Sequence, residues 1–258
     1  MFSCAPTVKK EIGSLDLKYN YTESDISKTG LSIAIVSPQI SGKQIAPQTN
    51  TSNPLVQFLA AQSGQCFVED FNTNFHMNYL DRVKKSFENS FQEIVTKKGF
   101  NFTGPFSTFD DMTYNEKKEG YLALVPILDI SIDKKNTNIS SSPITHIYTE
   151  SGVIQIGGEF KIDFIEPLTK EKIMSRRINL SDFGIEVAYK KEIKQPSGLI
   201  GNVIAAQQEI EDSTDKALTD ALNIFYKKSL EKVVKYLSTD EIVSYKEQIN
   251  NLKNLKKF

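Results

Sequence analysis

Apolar positions along the chain recur at two spacings, every second residue in some stretches and every third or fourth in others, and the switches between them mark out strands and helices. Leu15, Leu17, Tyr19 and Tyr21 alternate with Asp16, Lys18 and Asn20, which predicts a half-buried strand. The nearly continuous apolar run 31–36 predicts an interior strand stopped by Pro38. Residues 37–53 are polar and hold Pro38, Gly42 and Pro47, which reads as a long loop, and 54–75 reads as a short helix followed by an irregular strand. Together 37–75 form a predicted loop-rich insertion.

The clearest helical period follows. Tyr79, Leu80, Val83, Phe87, Phe91, Ile94 and Val95 repeat at helical spacing, with Asn78 placed to cap the helix and Gly99 to end it. Phe100, Phe102, Phe106 and Phe109 then continue in extended fashion, which suggests a β-α-β crossover, before a polar turn at Asp110 and Asp111. From Tyr121 to Ile127 the chain is apolar on both faces, after which Leu128, Ile130 and Ile132 alternate with Asp129, Ser131 and Asp133. That strand begins inside and ends at an exposed rim, with a polar loop predicted over 136–143. Phe160, Ile162 and Phe164 pair with a returning strand through Ile178 and Leu180 across the turn Glu166-Pro167-Leu168-Thr169-Lys170. The pattern weakens over 181–212, read as a loop around Pro196, Gly198 and Gly201. Leu218, Leu222, Phe225, Val233 and Leu237 mark a long helix; Ser238 and Glu241 suggest a capping box for a second, striped by Ile242, Tyr245, Ile249 and Leu252.

These elements predict an α+β fold, with a mixed or mainly antiparallel sheet and helices packed on one side as a two-layer sandwich. The expected organisation is a flexible tether over 1–14 and a single domain over 15–258 that closes with helices over 213–258.

Charge narrows the partners. With 31 basic and 32 acidic residues the net charge is −1, so no overall field draws the chain to nucleic acid. Sixteen Phe and ten Tyr supply enough ring surface for a sizeable core. The apolar runs are far shorter than the ~20 residues of a membrane-spanning helix, so any membrane contact is expected through a lipid anchor alone. Cys4 follows Ser3, the small-residue setting of a lipoprotein cleavage site, and is the lipidation candidate. Cys66, the only other cysteine, sits among apolar neighbours and reads as an inert thiol.

Catalytic signatures are weak. His76 and His146 share no metal-ligand spacing, and Gly157-Gly158 lacks the pattern of a phosphate loop. Asp110 and Asp111 read as solvated turn residues. The expectation is a protein without enzymatic activity, metal or cofactor. Lys134, Lys135, Asn136, Thr137 and Asn138 are the binding candidates, because ammonium groups and amides at a strand end can hold a carboxylated sugar by ion pairing and hydrogen bonds. Arg176-Arg177 places one guanidinium on each face of its strand. The stripe on the last helix leaves a homodimer open.

One further signal lies in short segments met in order. Lys117-Lys118-Glu119-Gly120-Tyr121-Leu122-Ala123, Leu17-Lys18-Tyr19-Asn20-Tyr21, Ile165-Glu166-Pro167, Ala221-Leu222-Asn223-Ile224-Phe225, Ser244-Tyr245-Lys246 and Leu252-Lys253 resemble the neuraminyllactose-binding hemagglutinin family of lipoprotein adhesins. The resemblance implies a lipid-anchored outer-membrane, cell-surface or flagellar-sheath protein that acts as a sialic-acid-binding adhesin. Sialylated host glycans are then the implied partners. The alternative is a structural envelope protein that works through protein contacts. The family's basic Lys-Arg-Thr-Ile-Gln-Lys motif corresponds here to the segment starting at Lys134, where Lys135 keeps charge but not the two-pronged grip of arginine.

Overall fold

The computed structural model describes residues 8–22, 27–42, 71–142, 147–194 and 210–255. Among these, β1 (Val8–Lys10), β2 (Ser32–Val36), β3 (Gln39–Gly42), β4 (Asn101–Phe106) and β5 (Leu122–Ser142) precede β6 (Ile147–Ile165), β7 (Lys172–Asn179), β8 (Glu186–Lys194) and β9 (Ile210–Asp212). The helices are α1 (Phe71–Asn78), α2 (Leu80–Lys97), α3 (Tyr114–Glu119), α4 (Thr214–Tyr236), α5 (Thr239–Ser244) and α6 (Lys246–Leu255). All the strands join one mixed sheet in the order β1-β9-β8-β6-β5-β2-β4, with β3 beside β5 and β7 beside β6. The fold is α+β, as the sequence pattern implies.

β2 runs parallel to both β4 and β5, and α2 carries the chain across between β2 and β4, so the predicted crossover is present. β2 is buried on both faces because it lies between neighbours under a helix, which explains its unbroken apolar run. One sheet face, including Ile33, Leu124, Ile130, Phe160 and Phe164, is covered by α2 and α4. Phe87 of α2 sits in the middle, with ring contacts to Phe160 at 5.4 Å, Phe225 at 5.9 Å and Tyr226 at 4.9 Å. On the opposite face Ala34 and Ala123 pack with Met112, Phe106 and Phe109 in a small second cluster.

Several predicted boundaries differ. The alternation of residues 15–21 is real in burial, with Leu15, Leu17 and Tyr21 inside and Asp16 and Lys18 outside, yet this segment joins no strand. It is a strap held by side chains: Asn223 Oδ1 accepts from the Asp16 and Leu17 amides, Arg82 donates to the Leu15 carbonyl, and Leu17 has φ of 39°, which no ladder tolerates. Residues 39–42 are strand β3 rather than loop, because β5 offers its edge. The loop predicted over 136–143 is strand through Ser142, since polar residues pair as well as apolar ones once β6 runs alongside. β8 and β9 lie inside the span 181–212 read as a loop.

Two predicted caps are also absent. Asn78 closes α1 instead of capping α2, whose preceding residue Tyr79 makes no side-chain cap. Ser238 makes no capping hydrogen bond, and Glu241 is drawn to Arg176 instead. Gly158, in the pair dismissed as a phosphate loop, has φ of 107°, and a β-carbon there would lie 2.1 Å from the Asp129 carbonyl oxygen. Its role is to let β5 and β6 approach. Cys4, Cys66, His146, Pro196 and residues 54–70 lie outside the described residues.

Candidate functional site

The five binding candidates occupy the outer part of β5, and the structure divides them. Lys134 points to the helix side, where Phe71 of α1 and Tyr189 of β8 meet edge-on at 5.2 Å. Its Nζ lies 5.6 and 5.7 Å from the two ring centroids and 2.7 Å from Glu150 Oε1. The same carboxylate oxygen accepts from the Tyr189 hydroxyl at 2.8 Å. Only 3% of the Glu150 side chain is exposed, against 17% for Lys134, so each charge depends on the other for compensation. Lys134 is a strut joining β5, β6, β8 and α1. Just before it, Asn72 imitates a strand, donating to the Ile132 carbonyl at 3.0 Å and accepting from the Ile132 amide at 2.8 Å.

Lys135, Asn136, Thr137 and Asn138 are exposed together. The register with β6 shifts between Lys135 and Asn138, so β5 carries one extra residue there, a β-bulge. Asn136 has φ of 51°, a left-handed conformation asparagine accepts more readily than most residues. The bulge therefore sets an ammonium, two amides and a hydroxyl on a paired three-stranded arm rather than on a loop. Their sequence was legible; the separation of Lys134 from the rest was not, because it depends on Glu150 and Tyr189.

The remaining candidates disperse. Asp110 hydrogen-bonds Lys170 at 2.6 Å, and this pair holds its carboxyl below the usual carboxylate range; Asp111 accepts from the Thr108 amide at 2.8 Å. His76 lies in the last turn of α1 with its ring 5.3 Å from Phe75. Arg176 pairs with Glu241 and Arg177 lies 3.6 Å from Glu159. Among the described residues no group of three histidine, cysteine or acidic side chains is arranged to hold a metal ion. No described helix is long and apolar enough to cross a membrane.

At the opposite end of the sheet, three segments singled out for their resemblance meet. Lys253 donates to the carbonyls of Lys118, at 2.9 Å, and Gly120, and lies 3.8 Å from Glu166 Oε1. Burial lowers its pKa, with the nearby Glu166 carboxylate acting in the other direction. Glu166, fully buried, accepts from the Leu168 and Thr169 amides. Tyr121 donates to the Ile242 carbonyl at 2.7 Å, and burial pushes its hydroxyl pKa up to about 12.

Residues 68–256 match the family model described as neuraminyllactose-binding hemagglutinin precursor. The chain belongs to this family. It is 26% identical over 192 residues to the neuraminyllactose-binding hemagglutinin of Helicobacter pylori strain J99, covering 68% of this chain and 73% of that protein. The protein of the same name from strain 26695 is 25% identical over 191 residues, with the same coverage. A crystal structure of a neuraminyllactose-binding hemagglutinin homolog from Helicobacter pylori superposes with a TM-score of 0.58 at 16% identity, covering 90% of this chain and 99% of that one. That likeness establishes a shared fold.

One hollow of different character lies on the outer side of α6, lined by Ser244, Glu247, Gln248, Asn251, Leu252 and Leu255. Leu255 is 76% exposed and Val243 is 37% exposed nearby. In the sequence this face shows only through Leu252, part of the last helix's stripe that left a homodimer open.

Proposed function

We propose that this chain is a non-catalytic surface lipoprotein, anchored through Cys4 by a short tether ahead of one α+β domain, and that it binds a carboxylated glycan, of sialic-acid type, at the β5 bulge. Lys135 supplies the charge, Asn136, Thr137 and Asn138 the hydrogen bonds, and Lys134 holds the arm in shape. The observation that carries this reading is the joint exposure of those four side chains at a bulge with fixed backbone geometry. The family relationship supports an adhesive role, and the outer membrane, cell surface or flagellar sheath is the corresponding location.

Sialyllactose binding measured by calorimetry or on a glycan array tests it. Lys135→Ala combined with Asn138→Ala should abolish binding while leaving the melting temperature close to that of the wild type. Unchanged binding by this variant would remove the bulge as the site.

A second reading is favoured by the α6 hollow, where exposed Leu255 and Val243 adjoin polar side chains. In that reading the protein is an envelope component that contacts another protein. Leu255→Asp would then weaken capture of the partner while leaving sialyllactose binding intact.

A further inference from the structure

Gly157, the first of the glycine pair in β6, has no backbone reason to be glycine. Gly158 needs its φ of 107° and its close approach to Asp129, and Gly152 makes room for the Tyr189 ring, 3.0 Å from where a β-carbon would lie. Gly157 is outside the left-handed region, yet a glycine inside a strand weakens it and often marks a place where a ligand comes near the backbone. Its neighbours are polar. A β-carbon on Gly157 would lie 3.1 Å from Ser131 Oγ, 3.3 Å from Ser181 Oγ and 4.0 Å from Asp133 Oδ2. The missing side chain thus leaves a notch edged by two hydroxyls and a carboxylate, with the buried glycine as its floor.

The notch lies on the sheet face turned away from α2 and α4. Alternation sends Ser131, Asp133 and Lys135 of β5 to this one side, and Gly157 and Gln155 of β6 lie directly opposite Ser131 and Asp133. Asp133, Lys135 and Ser181 are exposed, and Ser131 and Gln155 are half-buried. Ser131 donates to Asp133 at 3.1 Å, and among the described residues no cation pairs with Asp133. The bulge and the notch are therefore two ends of one polar track. Four strand residues separate Lys135 from Ser131, roughly 13 Å, which a chain of sugars spans and a single ring does not.

We infer that the Gly157 notch is a second subsite for the glycan held at the bulge, in which uncharged sugars run back along β5 from an acidic sugar at Lys135. The inference rests on the glycan reading above and names the remainder of that ligand. Asp133 accepts hydrogen bonds from sugar hydroxyls, and the serine hydroxyls both donate and accept, the mixture a neutral sugar ring requires. The same carboxylate sorts ligands. Asp133 disfavours a second acidic sugar beside the first, and beyond the notch Asp129 lies directly opposite Glu159, which Arg177 approaches to 3.6 Å. The track therefore suits a chain with one acidic sugar at its end.

Calorimetry with sialyllactose and with free N-acetylneuraminic acid tests this, because only the first probe carries neutral sugars. Wild type should bind sialyllactose more tightly than the free acid. Asp133→Ala and Ser181→Ala, both at exposed positions, should each weaken sialyllactose about five- to tenfold, the loss of one or two hydrogen bonds, without weakening the free acid. Gly157→Ala should have the same selective effect by raising the notch floor; if it disturbs the sheet, the two surface variants decide. Equal loss of both probes, loss of neither, or equal affinity of wild type for the two overturns the subsite and leaves the bulge as the site of the acid. A wild type that binds neither probe refutes the bulge reading and the subsite with it.

Discussion

Lys134 and Lys135 are neighbours in the chain with opposite surroundings, and a strand explains why: successive side chains leave on opposite faces. Lys134 is pressed among Phe71, Tyr189 and Glu150, whereas Lys135 is exposed. Lys134→Ala should therefore destabilise the fold by about 3–5 kcal/mol, the cost of leaving a buried partner charge uncompensated, as measured by urea denaturation. Lys135→Ala should change stability by less than about 0.5 kcal/mol. Asp163 offers a pH-dependent counterpart. Burial pushes its carboxyl up, but hydrogen bonds from Lys172, Ser175 and Lys161 outweigh this and hold it below the ordinary value. Its stabilising contribution is complete above the unfolded-state value near pH 4 and disappears as pH falls through the lower folded value. Asp163→Asn should accordingly cost about 1–3 kcal/mol at pH 7, a difference from wild type that shrinks on acidification in denaturation curves recorded from pH 7 to pH 2. The sequence placed both lysines in one binding segment because charge and position are written in it; their partners come from strands and a helix remote in the chain.

Elements with a strong period were legible. The helical stripe of 79–95 became α2, the stripe from Leu218 became α4, and the paired alternations around 160–180 became β6 and β7. Phe87 lies at the junction of α2, α4 and β6, so Phe87→Ala should cost about 3–5 kcal/mol and lower the denaturant midpoint without changing the slope. Less legible were polar elements whose structure depends on partners, such as the outer half of β5, and the strap over 15–21, whose alternation reflects burial without a ladder. The bulge belongs to this class, since nothing in Lys-Asn-Thr-Asn forces an extra residue. Asn136→Ile should cost about 1–2 kcal/mol through its left-handed backbone, and Asn136→Gly should be nearly neutral, a contrast readable from the two melting curves.

For the whole molecule, the sheet has two poles: the arm end, where β5 and β6 finish near Val8, and an opposite end where Lys253, Tyr121 and Glu166 hold α5 and α6. Tyr121→Phe removes the link to Ile242 and should cost about 1 kcal/mol, with faster amide hydrogen exchange concentrated in α5 and α6. Those contacts join residues from the Lys-Glu-Gly-Tyr-Leu-Ala, Ile-Glu-Pro and Leu-Lys segments by which the kinship is readable. The clasp they form fastens one part of the protein to another and leaves the bulge untouched. Descent can therefore stay recognisable in a relative whose recognition surface has been rewritten, because the words that spell the ancestry are the ones that keep the building upright.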